Sequence, residues 1–139
     1  MARRPAADPV LQMAVDAALA KKAEGLVVLD LRGLSDVTDY FIICHGRSTR
    51  QAQTVSDAIE EALRARKRKP KHIEGYSRGE WILMDYIDFV VHVFTEERRS
   101  YYALEKLWGD APRLFQDGDE GEEAEKGPRR ASGTRSRKS

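Results

Sequence analysis

The sequence predicts a single α/β domain with a mixed sheet of about five strands flanked by helices. Two segments, near 9–22 and 48–66, place apolar residues at helical spacing. Between and after them lie short runs of branched and aromatic residues of strand length, and a last amphipathic segment follows the final run.

The first helix is expected from Asp8, a capping residue, and Pro9, whose fixed φ suits the first helical position. Val10, Met13, Ala14, Ala17 and Ala18 make its apolar face, and Lys21, Lys22 and Gly25 suit its end. Residues 26–31 (LVVLDL) read as a strand, and the loop Arg32 to Asp39 leads to a second at 40–46 (YFIICHG). The nearly unbroken apolar run of the second implies burial on both faces. Ser48 and Gln51 have capping-box spacing ahead of a helix whose face is Ala52, Val55, Ile59, Ala62 and Leu63. Residues 71–76, 80–86 and 88–95 read as three more strands, with a tight turn near Tyr86-Ile87-Asp88. Thr95 can cap a final helix with Glu96 and Glu97 in its first turn and Tyr101, Leu104 and Trp108 on one face; Gly109 and Pro112 end it. The element order is αβ β αβ ββα.

The 139 residues hold 24 Lys and Arg against 23 Asp and Glu, so the net charge is +1. A uniformly basic nucleic-acid binder is therefore excluded, although local clusters can cancel in the sum. One cysteine, Cys44, rules out a disulfide framework within the chain and fits a reducing, cytoplasmic setting. No signal peptide or membrane span is expected. Residues 117–125 carry six acids and 126–139 carry six bases, without branched apolar or aromatic residues. That segment is expected to be a disordered acidic-then-basic tail behind a domain spanning 9–116, with 1–8 as a flexible N-terminus.

Little points to catalysis. Cys44 and His45 are strand neighbours and face opposite sides, so they cannot pair as nucleophile and base, and Cys44 in an apolar run reads as a small buried hydrophobe. His92 between valines reads as a core or face histidine. His45, His72 and His92 lack paired metal-ligand spacing, so no metal or other cofactor is expected. The turn Gly46-Arg47-Ser48 before a helix could hold phosphate and suggests, as the alternative function, a nucleotide-binding or nucleotidyltransferase-type enzyme. Such chemistry needs two carboxylates one residue apart on the next strand, and that pair is missing.

Two features suit binding instead. Residues 64–71 (RARKRKPK) hold six bases in eight positions, so Arg66, Lys67, Arg68 and Lys69 are candidate contacts to RNA phosphates. Trp81, Tyr86 and Phe89 alternate with Glu80, Asp85 and Asp88, a mixture of aromatic anchors and acids that fits a basic protein surface.

Six ordered motifs carry a resemblance: Ser35-x-x-Thr38-Asp39-Tyr40-Phe41-Ile42-Ile43, Gly46-x-Ser48-x-Arg50, Glu74-Gly75, Trp81-x-x-x-Asp85, Val91-His92-Val93-Phe94 and Tyr102-x-Leu104-Glu105-x-Leu107-Trp108. From about residue 9 to 113 the chain resembles the ribosomal silencing factor family, also called the Iojap or RsfS family. The resemblance implies a non-enzymatic translation repressor with a nucleotidyltransferase-like topology lacking catalytic carboxylates. Its members bind the large ribosomal subunit through ribosomal protein L-fourteen, block joining of the small subunit in starvation or stationary phase, in some cases act in large-subunit assembly, and form homodimers when free. By position it implies partner contacts at Trp81, Asp85, Tyr86 and Asp88, with Tyr40 and Tyr102 beside them. By strand alternation Trp81 and Asp85 share a face and Tyr86 points away. His45 and Ile87 depart from the family pattern, where Thr and Gly are more usual.

Overall fold

The structure, a computed structural model, describes residues 9–102, 106 and 108–116. Asp8, Leu104, the tail 117–139, and the side chains of Tyr101 and Tyr102 lie outside what it describes. The elements are α1 (Pro9–Ala20), β1 (Glu24–Asp30), β2 (Tyr40–Gly46), α2 (Thr49–Arg64), β3 (His72–Glu74), β4 (Trp81–Asp85), β5 (Phe89–Thr95), α3 (Glu96–Tyr102) and β6 (Arg113–Gln116).

They build one sheet in the order β3-β4-β5-β2-β1-β6. The β2–β5 pair is parallel and runs unbroken from Tyr40↔Phe89 to Gly46↔Thr95, whereas every other pair is antiparallel. The mixed α/β domain stands as expected, with six strands rather than five. The extra strand, β6, has four residues and follows Pro112, too short for a period-2 pattern; only its pairing along β1 makes it a strand.

The sheet has two differently covered faces. On the first, Val10, Leu11, Ala14, Val15 and Ala18 of α1 and Ala52, Val55, Ile59 and Leu63 of α2 pack over Leu26, Val28, Ile42, Cys44, Ile82, Met84, Val91 and Val93. Cys44 is fully buried there and His45 faces the other way. On the second face Val27, Leu29, Leu31, Ile43, Phe94 and Ala111 form a smaller cluster edged by Phe41, Trp81 and Trp108. Both faces of β2 and β5 are covered, which explains their continuous apolar runs.

Local rules account for the helix ends. Ser48 accepts the Gln51 N–H at 3.1 Å, the expected N-cap. The Gln51 carbonyl reaches back to the Arg47 N–H at 2.9 Å rather than to that of Ser48, and its amide donates to the Lys21 and Lys22 carbonyls, tying α2 to the end of α1. Lys22, not Gly25, takes the left-handed position that closes α1, with φ 68° and the Ala23 N–H donating to Ala18. Gly25 instead lies in β1, where a Cβ would stand 2.6 Å from the Arg99 guanidinium.

Removing the cap should be costly but local. Ser48→Ala is expected to lower stability by about 1 kcal/mol in chemical denaturation, with the denaturant slope unchanged.

Candidate protein interface on the open sheet face

Alternation along β4 sends Ile82 and Met84 under α2, fully buried, and turns Trp81, Leu83 and Asp85 to the second face. In register beside them, β3 adds His72 opposite Asp85 and Glu74 opposite Leu83. This corner is less covered than the central strands: His72 and Glu74 are exposed, and Trp81, Leu83 and Asp85 half-buried. Gly75 ends β3 with φ 80°, and any side chain there would collide with the backbone carbonyl of Trp81.

Trp81 is held in place from below. Its indole N–H donates to His92 Nδ1 at 3.1 Å, and its ring stacks on Phe94 at 5.2 Å. Phe41 meets the same imidazole edge-on at 4.5 Å. Because Nδ1 accepts, the neutral ring carries its hydrogen on Nε2, which is buried without a hydrogen-bond partner among the described residues. Burial pushes the His92 pKa down to about 4.

The carboxylates do more than present charge. Asp85 Oδ1 accepts the Ile87 N–H at 2.8 Å and so holds the hairpin turn, while Oδ2 lies 3.8 Å from His72 Nδ1. Asp88 is 57% exposed and pairs with Arg68 at 3.6 Å. The acidic hairpin and the basic end of α2 thus adjoin rather than forming separate fields. Arg66, Lys67 and Lys69 are exposed, and the Arg68 N–H closes α2 on the Leu63 carbonyl with Lys67 left-handed at φ 62°.

Two of the six aromatic and acidic residues singled out from the sequence lie inside. Tyr86, 2% exposed, packs into the α-covered core and stacks on Phe89 at 5.1 Å, and burial pushes its pKa up to about 12. Tyr40 is 7% exposed, with the Arg32 guanidinium over its ring. Neither offers an aromatic anchor at the surface. The Tyr102 side chain lies outside the described residues.

The Gly46–Ser48 turn is poorly suited to phosphate. Ser48 and Gln51 already satisfy local amides of the turn, and Glu80, Glu96 and Glu97 line the adjoining cleft with Arg47 and Arg98. Sequence spacing missed a nearby cluster drawn from three elements, in which ligand atoms of Glu24, His45 and Glu96 lie within 4.8 Å of one another. Arg99 Nη1 lies 2.9 Å from His45 Nδ1, and Arg47 holds Glu24 at 2.9 Å. A guanidinium only donates, so Nδ1 accepts and Nε2 keeps its hydrogen toward Glu24, 3.4 Å away. The cluster is an ion-pair hub fastening α3 to β1 and β2, and a cation there would have to displace Arg99 from Nδ1 or the remaining hydrogen from Nε2.

The His92 arrangement has a pH signature. An unfolded histidine titrates near 6.5 and this one near 4, so the unfolded chain binds more protons between those values. The contribution is fully present above about pH 6.5 and is lost as pH falls toward 4, amounting to roughly 3 kcal/mol. In urea titrations at pH 7 and pH 4, the stability of the wild type relative to His92→Gln should fall by that amount. A pH-independent difference would show that the imidazole is not buried in the neutral form.

Comparison with known proteins agrees with this architecture. The family model described as "Ribosomal silencing factor during starvation" matches residues 4–139. The chain is 44% identical over 109 residues to the ribosomal silencing factor RsfS of Halalkalibacterium halodurans, covering 78% of this chain and 93% of that one. It is 46% identical over 103 residues to the RsfS of Bacillus subtilis, covering 74% and 87%. A crystal structure from Bacillus halodurans superposes with a TM-score of 0.68 at 42% identity, covering 76% of this chain and 95% of that one. A chain matched by the family model over nearly its whole length, with such relatives and this sheet, belongs to the ribosomal silencing factor family.

Proposed function

We propose that this protein represses translation without catalysing a reaction, by docking its open sheet face on a basic protein of the large ribosomal subunit and occluding the surface that the small subunit needs. The partner is ribosomal protein L-fourteen. One observation carries the reading: Trp81 stands on a partly open corner of the sheet, already oriented by His92 and Phe94, with Asp85 on the same face of β4. An aromatic side chain immobilised before binding loses little entropy on contact, and flanking carboxylates orient a Lys- and Arg-bearing partner.

Tyr86 and Tyr40 support that surface from the core, while Arg66, Lys67, Arg68 and Lys69 reach neighbouring ribosomal RNA. The protein works in the cytoplasm, and a free homodimer separates before docking if it uses the same face.

Sedimentation with purified subunits tests the docking. The protein should travel with the large subunit and reduce formation of joined ribosomes, and Trp81→Ala should lose both effects while circular dichroism shows the fold retained. Normal joining in the presence of saturating protein would overturn the reading.

Salt dependence separates the two kinds of contact. Replacing Lys67, Arg68 and Lys69 with Gln should flatten the slope of log affinity against log salt by roughly 2 to 3 if these side chains meet phosphates. An unchanged slope would restrict binding to the protein partner.

A further inference from the structure

The β4–β5 turn carries a backbone strain that the fold does not need. The Asp88 N–H donates to the Tyr86 carbonyl at 2.9 Å across one residue, Ile87, whose φ is 76°. That is a γ-turn of the rare form, and a β-branched residue suits it least. Three further hydrogen bonds pin it: Ile87 N–H to Asp85 Oδ1 at 2.8 Å, Thr38 Oγ to the Ile87 carbonyl at 3.0 Å, and Asp39 N–H to the Asp88 carbonyl at 3.0 Å. The Ile87 side chain is 61% exposed, so packing returns little for the strain. Glycine would make the same turn at lower cost.

The bonds from Thr38 and Asp39 bring a second loop alongside. On it Val37 is 84% exposed and Leu34 47% exposed. Of the four large apolar residues exposed among the described residues, three therefore lie on these two tied loops. Asp36, Asp39 and Asp88, all exposed, are interleaved with them, and Asp36 and Asp39 form no ion pair among the described residues.

We propose that Leu34, Val37 and Ile87 form one apolar knob, ringed by Asp36, Asp39 and Asp88, that inserts into an apolar recess bordered by Lys and Arg on the basic ribosomal protein. The inference rests on the docking function above and names residues that set its affinity and partner choice. Charge selects the occupant. Asp88 is paired with Arg68, but Asp36 and Asp39 repel RNA phosphates, and a second copy meeting this surface through a two-fold axis would set those carboxylates against their own copies. The strain is retained because Ile87 supplies apolar contact that glycine lacks.

Ile87→Gly and Val37→Ser test this with full-length protein and purified large subunits. Ile87→Gly should raise the melting temperature by a few degrees and weaken subunit binding by about tenfold or more. Val37→Ser should weaken binding with an unchanged melting temperature. Unchanged affinity in both variants, alongside loss of binding in Trp81→Ala, overturns the knob and leaves the docking face standing. A shift in self-association with unchanged subunit affinity makes a second copy the occupant and also overturns it. Failure of the wild type to bind large subunits overturns the docking function and this inference together.

Discussion

Everything in this fold hangs on the parallel pairing of β2 with β5. The seven-residue register from Tyr40↔Phe89 to Gly46↔Thr95 joins two strands whose side chains are apolar on both sides. Such a pair cannot face water on either surface, so both faces need cover near the centre of the sheet. Helices α1 and α2 supply it on one side. On the other, the Arg99 bonds to the Gly25 carbonyl and His45 fasten α3, and Trp108 packs against Phe41. That second cover is smaller, and the corner at β3 and β4 is left partly open.

The open corner owes its chemistry to the same pairing. His92 belongs to β5 and is buried because β5 is central; its single accepted hydrogen bond then fixes a tryptophan on the neighbouring strand. A buried Nε2–H without a partner among the described residues is a cost of that arrangement. The expense is intelligible if an immobile Trp81 is what a partner meets. Ile87 follows the same logic at the hairpin turn, where backbone strain exposes an apolar side chain.

Much of this was legible in residue patterns, and the remainder fails for identifiable reasons. β2 matches its expected bounds because two-sided burial writes a continuous apolar run, and α2 is marked by a capping residue and a clean apolar stripe. Strand alternation correctly put Trp81 and Asp85 on one face and Tyr86 on the other. β6 was not legible, since four residues carry no period and the strand exists through its neighbour. The residue that closes α1 was misplaced by three positions because a lysine, Lys22, occupies the left-handed position that glycine usually fills. The Trp81–His92 bond depends on the β4–β5 register, and the backbone role of Asp85 depends on turn geometry; neither is written in residue types.

The central claim is that the β4 corner, and not the helix-covered face, meets the ribosome. A photoreactive amino acid at Leu83, between Trp81 and Asp85, reports on it directly when compared with one at Glu61, exposed on α2. Irradiation with purified large subunits followed by mass spectrometry should join position 83 to a single basic ribosomal protein and leave position 61 unjoined. Crosslinks from position 61 alone, or from both positions equally, would contradict the account.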